Sequence, residues 1–165
     1  MSDEGYLDDF FPYKLAVAAE AFSRSLIAVY GRRYGLSREE WRLLFLLAQT
    51  TELTSLELAM RTTLDKVQVS RAAQRLEEKG LISRTTANRD RRLRLYRCTE
   101  AGRMLFAELH PQVEGRARRI LQSMPPEDRK ALEQGLNSLR LAIESQSTVP
   151  TSADHIKSSE QSSGV

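Results

Sequence analysis

A mainly α-helical chain with one small β-hairpin is what the sequence predicts, on three observations. Apolar residues recur at the 3.6-residue period over most of residues 12–145. Helix starts are marked by Ser37-Arg38-Glu39-Glu40 and Thr54-Ser55-Leu56-Glu57, where a hydroxyl and a carboxylate three residues on each accept from the other's backbone amide. Two strand-like runs, Leu81–Thr86 and Leu93–Thr99, flank a polar turn-forming stretch at 87–91. The 165 residues are enough for one domain with a real core. The reading is a single domain over 12–145, a partly ordered arm at 1–11, and a disordered tail at 146–165 that is rich in Ser and Thr.

Pro12 suits a first helical turn, and Leu15, Ala18, Ala19, Phe22, Leu26 and Val29 follow on one face before Gly31 and Gly35 end the helix. The helix from Ser37 through Trp41 and Leu43–Leu47 is apolar nearly all round, so it should be buried. Thr54 starts a short helix through Leu58, Ala59 and Met60, and Thr62–Leu64 suffices only for a turn. Asp65 caps the next helix, which runs to Lys79 and is stopped by Gly80. Two helices joined so tightly form a helix-turn-helix, and the hairpin behind them makes it winged, over about 37–99. Thr99 caps a long helix carrying Met104, Leu105, Leu109 and Val113, which Pro111 should kink. Pro125-Pro126 opens the last helix, with Leu132, Leu136, Leu139 and Ile143 on one stripe. The N- and C-terminal helices, about 12–34 and 100–145, carry apolar stripes that need a partner, so they are expected to build a two-fold homodimer.

Net charge is only +3, yet residues 53–99 hold eleven Lys or Arg against five Asp or Glu. A basic middle between acidic ends is the footprint of a polyanion-binding surface. On the helix after Asp65, Val69, Ala72, Ala73 and Leu76 share the core face. Val67, Ser70, Arg71, Gln74 and Arg75 fall opposite, with Gln68 at the edge of that face, the chemistries that read a major groove: Arg donates twice to guanine, Gln pairs with adenine, and Val meets a thymine methyl. Lys66, near the helix start, suits a phosphate. At the hairpin tip Arg89, Arg91, Arg92 and Arg94 surround one acid, Asp90, and a thin basic loop can enter a minor groove. The expected partner is a double-stranded DNA operator.

These residues resemble the MarR (multiple antibiotic resistance regulator) family. The likeness rests on Asp65-Lys66-Val67-Gln68-Val69-Ser70-Arg71, Arg75 to Ile82, Asp90-Arg91-Arg92 and Thr99-Glu100-Ala101-Gly102, in that order, over roughly Phe10 to Ser145. The resemblance implies a homodimer of winged helix-turn-helix lobes with interleaved first and last helices. It also implies that Asp90 braces the wing by a salt bridge, that Arg92 enters the minor groove, and that a small-molecule site lies between the dimer helices and the DNA-binding lobe. Thiol-sensing members keep a reactive cysteine near the N-terminal helix; here the single cysteine is Cys98, where the family has a strand leucine, so a packed, inert thiol is expected. The opening Phe10-Phe11-Pro12-Tyr13-Lys14-Leu15 looks like a subgroup tied to aromatic-acid catabolism.

Other chemistries find little support. One cysteine excludes an intrachain disulfide, and the acidic N-terminus lacks the pattern of a signal peptide, so the cytoplasm is expected, with no membrane association. Of two histidines, His155 lies in the tail, and His110 has no metal-spaced partners; it is read as a polar helix position, with a ligand contact as the second reading. No nucleophile–base pair, phosphate loop or carboxylate dyad has usable context, so neither an enzyme nor a cofactor or metal is expected. Tyr13, Phe22, Trp41 and Phe45 are either ordinary core or the lining of a pocket in which Arg24 or Arg42 anchors a carboxylate. The leading reading is a repressor released by a small effector, an aromatic acid or acyl thioester; the alternative is a constitutive or architectural DNA-binding protein without one.

Overall fold

A computed structural model describes the backbone of residues 9–87 and 90–147, and their side chains apart from 87, 90–93 and 147. Most of the N-terminal arm and the tail from 148 lie outside the described residues. The elements are α1 (Phe11–Tyr34), α2 (Arg38–Ala48), β1 (Leu53–Thr54), α3 (Ser55–Thr62), α4 (Lys66–Glu78), β2 (Ile82–Ala87), β3 (Asp90–Cys98), α5 (Glu100–Gln122) and α6 (Pro126–Ser147). The fold is a mainly α winged helix-turn-helix. The chain divides into two compact units, one reaching Arg119 and one beginning at Ile120.

In the first unit α1 passes through Gly31 and ends at Gly35, whose left-handed φ of 62° turns the chain while its amide caps the helix on Gly31 O and Tyr30 O. Ser37 then opens α2 with the expected capping box, and Thr54 does the same for α3. Leu43, Leu44 and Leu47 of α2 are fully buried, as its nearly all-apolar sequence requires. α4 packs on α2 and α3 through Val69, Ala72, Ala73 and Leu76. The sheet has three antiparallel strands in the order β1-β3-β2, one more than the hairpin expected. β1 is two residues, Leu53 opposite Tyr96 and Thr54 opposite Leu95, too short to leave a periodic signal. The β2–β3 ladder runs from Ile82 opposite Cys98 to Ala87 opposite Asp90, so pairing enters the stretch read as loop, with a register irregularity after Thr86.

Thr99-Glu100-Ala101-Gly102 joins the wing to α5. The Thr99 hydroxyl accepts from the Gly102 amide at 3.1 Å and donates to Gly80 O at 2.7 Å, while the Thr99 amide donates to Leu81 O. One residue thus caps α5 and ties it to the end of α4. α5 continues through Pro111 and buries Gly102, Leu109 and Val113, with Phe106 half-buried between them; Met104, placed on this stripe from the sequence, is instead 66% exposed. Cys98 is buried, its Sγ 3.7 Å from Leu81 O, and burial pushes its thiol pKa up. In the second unit, α6 buries no residue, and Leu132, Leu136 and Leu141 are exposed. Among the described residues no helix is long and apolar enough to cross a membrane.

Gly102 tests how tightly this junction is built. A Cβ there would stand 2.1 Å from Leu81 O and 2.7 Å from Cys98 Sγ, against backbone that cannot rotate away. Gly102→Ala should therefore destabilise the fold by about 1–3 kcal/mol despite the better helix propensity of alanine. Urea denaturation at neutral pH would measure it; an unchanged midpoint would show that α5 has room to shift.

Candidate nucleic-acid interface

α4 separates its two faces cleanly. Val69, Ala72, Ala73 and Leu76 are at most 2% exposed, whereas Lys66, Val67, Gln68, Ser70, Arg71, Gln74 and Arg75 are all exposed. Val67 at 57% is the telling residue, since a valine on a core-facing stripe would be covered. The helix start is held by Asp65, whose Oδ1 accepts from the Gln68 amide at 2.7 Å, while Gln68 Oε1 accepts from the Asp65 amide at 3.0 Å. This third capping box uses the side chain that sequence reasoning placed beside the base-reading set; the signal was there, because glutamine three residues after an N-cap is a box partner.

Two other side chains on this face are already engaged. Gln74 Nε2 donates to Glu78 Oε1 at 2.9 Å, one turn on. Arg75, expected to read bases, turns its Nε to Glu40 Oε1 at 3.2 Å and is half-exposed. Glu40 is buried, and Lys79 Nζ also reaches it. Lys66, Ser70 and Arg71 complete the exposed face with one hydroxyl and two cations.

The turn between α3 and α4 is set by Thr63, the single non-glycine residue with a positive φ (60°) among the described residues. Its Oγ1 donates to Thr62 O at 2.6 Å and accepts from Arg42 Nη1 at 3.2 Å; Arg42 also donates to Thr62 O at 3.3 Å. The guanidinium considered as a carboxylate anchor thus braces the helix-turn-helix. In the wing, Arg84 pairs with Glu77 at 3.2 Å and Arg97 with Glu52 at 2.6 Å, which ties both strands to the lobe. Arg94 is exposed. Arg89 and the side chains of Asp90, Arg91 and Arg92, named from the sequence, lie outside the described residues.

Of the residues considered for a ligand pocket, the structure brings Trp41, Phe45 and His110 together. Tyr30 and Phe106, which the sequence reading missed, join them: Trp41 stacks on Tyr30 at 5.4 Å and on Phe106 at 5.8 Å, and Phe106 meets His110 at 5.0 Å. Gly102, Phe106, Leu109 and Val113 fall at helical spacing, the signal that would have placed Phe106 inward. Rings at these separations touch, so the cluster is filled by its own side chains. Among the described residues no ring contact joins Tyr13 or Phe22 to it, and Arg24 pairs with Glu20 at 3.6 Å. Between α1 and α5 lies a cleft of about 450 Å³, lined by Ala28, Val29, Arg33, Pro111, Gln112, Gly115 and Arg119. Among the described residues no group of His, Cys, Asp and Glu could hold a metal ion.

Comparison with known proteins agrees with this geometry. Residues 34–93, from the end of α1 into β3, match the model of the MarR family. An uncharacterised helix-turn-helix-type transcriptional regulator of Bacillus subtilis, YdgJ, is 29% identical over 106 residues, 64% of this chain. The match spans just under two thirds, 65%, of that relative's length. A MarR family regulator from Silicibacter pomeroyi, solved by crystallography, is 26% identical with a TM-score of 0.64, covering 81% of this chain and 89% of that one. NadR in complex with 4-hydroxyphenylacetate is 25% identical with a TM-score of 0.62, covering 76% and 89%.

The caps that present this interface can be tested apart from DNA. Asp65→Ala removes the acceptor at the start of α4 and should cost about 0.5–2 kcal/mol in urea denaturation at pH 7. Glu57 behaves differently with pH, because the Thr54 backbone amide and then the Thr54 hydroxyl hold its carboxyl below the ordinary glutamate range. A depressed carboxylate stabilises the fold above its unfolded pKa and loses that contribution as pH falls through the folded one. Glu57→Gln, still able to close the box but without the charge, should be less stable than the parent at pH 7, approach it in acid, and so show a shallower loss of stability on acidification. An acid limb as steep as the parent's would assign the pH dependence to other carboxylates.

Proposed function

We propose that the chain is a DNA-binding transcriptional regulator of the MarR family, and that it acts as a dimeric repressor released from its operator by a small aromatic acid. The observation that carries the DNA reading is the exposed face of α4: Arg71, Gln74, Ser70 and Val67 turned outward over a face of buried alanines. In this reading Arg71 and Gln74 meet base edges in the major groove, and Lys66 meets a phosphate. Gln74 must leave Glu78 to do so. Arg94, exposed on β3, contributes charge toward the minor groove.

The dimer is supported by apolar side chains exposed on both proposed dimerisation helices: Phe11, Tyr13 and Val17 on α1, and Leu132, Leu136 and Leu141 on α6. Two-fold symmetry then places two recognition helices about one DNA turn apart, ~34–36 Å. The effector is argued from the cleft between α1 and α5. Its volume, about 450 Å³, is of the order that small-molecule sites use, and Arg119 supplies a cation for a carboxylate, with Arg33, which would have to leave Glu108 at 3.9 Å, as a second. NadR, solved with 4-hydroxyphenylacetate, supports the ligand class. A constitutive DNA binder is the competing reading, and effector titration separates the two.

The test begins with a duplex enriched from a random pool by the purified protein. Fluorescence anisotropy on that duplex and a scrambled one, at several salt concentrations, should show Arg71→Ala and Gln74→Ala losing discrimination, by roughly 1–3 kcal/mol for a bidentate base contact. Arg94→Ala should weaken both duplexes alike and flatten the salt dependence of log K. Light scattering at micromolar concentration should return a dimer; a monomer would sink the assembly. A panel of hydroxylated benzoates and phenylacetates should include a compound that raises the melting temperature and lowers DNA affinity, with both effects lost in Arg119→Ala. A panel without effect on either would favour the constitutive reading.

A further inference from the structure

At the start of α2 lies a charge that helix capping by itself does not explain. Glu40 is 1% exposed. Its Oε2 accepts from the Ser37 amide at 2.6 Å, which closes the capping box. Its Oε1 accepts from Arg75 Nε at 3.2 Å, and Lys79 Nζ lies 3.0 Å from both carboxylate oxygens. The same ammonium donates to Gly35 O at 2.7 Å, at the left-handed residue that ends α1. One carboxylate and one ammonium therefore join three elements: the end of α1, the first turn of α2 and the last turn of α4.

The other two boxes show what capping requires. Glu57 and Gln68 close theirs from half-buried and exposed positions, without a second element. Burying a carboxylate is costly, and an ion pair recovers that cost only in good geometry; such pairs are weak contributors to stability and better suited to specifying one arrangement. Here the partners sit at the C-terminal end of α4. Its other anchor is the apolar face of Val69, Ala72, Ala73 and Leu76, whose hydrophobic contacts are non-directional.

We propose that Glu40 is a positioning residue for DNA recognition. Through Arg75 and Lys79 its buried carboxylate sets the roll of α4 on the lobe, and with it the direction in which Arg71 and Gln74 leave the surface. The bond from Lys79 to Gly35 makes that setting answer to the end of α1. The assignment rests on the DNA-binding reading and deepens it, naming a residue off the interface that controls specificity within it.

Glu40→Gln keeps the length and the acceptor for Ser37 while removing the charge. On the enriched duplex it should lose roughly tenfold in affinity, within the coupling range for residues of one hydrogen-bonded network, with little change on the scrambled duplex. The salt slope should be that of the parent, because no phosphate contact is removed. Lys79→Met should reproduce the loss, Lys79→Arg should retain most of the affinity, and Lys79→Met added to Glu40→Gln should cost little more. All measurements are made well below the melting temperature of each variant, so a role in stability only would lower melting and leave the affinity ratio intact. If Glu40→Gln fails to fold by circular dichroism, the Lys79→Met and Lys79→Arg pair, at a half-exposed side chain, carries the same comparison. A parental affinity ratio in the folded variants overturns the positioning role while the DNA reading stands. Failure of the parent to enrich any duplex overturns the DNA reading and the positioning role with it.

Discussion

Ala72 and Ala73, both buried, let α4 lie close against α2 and α3, and the geometry of the interface follows from that approach. Close packing of this kind sets how near α4 lies to its neighbours, because a core at organic-crystal density leaves no gap between them. With Val69 and Leu76 completing the buried face, the 3.6-residue period sends Val67, Ser70, Arg71 and Gln74 outward together. The hydrophobic contact and the proposed readout are thus two sides of one helix, and neither could be moved without the other.

Short elements survive here because their ends are satisfied. α3 has eight residues, below the length at which an isolated helix persists in water. A reciprocal capping box at its start and the left-handed Thr63 at its end, braced by Arg42, hold it between larger neighbours. β1, with two residues, exists because β3 offers it an edge and Leu53 is buried there. The wing is anchored rather than merely attached, through Arg84 to Glu77 and Arg97 to Glu52 across its two strands.

Ion pairs in this lobe divide by burial. Most are exposed, where solvent screening leaves each about 0–1 kcal/mol. Glu40 is different, since its oxygens have left water and its partners come from another helix. The aromatic cluster of Tyr30, Trp41, Phe45 and Phe106 joins α1, α2 and α5 on the same unit, so the helix that carries Glu40 is also the one that carries Trp41 beside it.

Much of this was legible in the residues themselves. The apolar period, the Ser37 and Thr54 boxes and the Asp65 cap determined the helix order, and the same period on α4 separated core from exposed face, because these are local properties of a chain with one backbone geometry. Tertiary structure decided what spacing cannot encode. Arg75 looked like its neighbour Arg71, yet a carboxylate thirty-five residues earlier draws it aside. Arg42 looked like a ligand anchor and is engaged by a turn twenty residues later. Tyr30 and Phe106 entered the aromatic cluster from helices whose relative rotation no single helix specifies. A side chain's partner depends on which elements the fold brings within hydrogen-bonding distance, and that is a property of the packed chain, not of its local sequence.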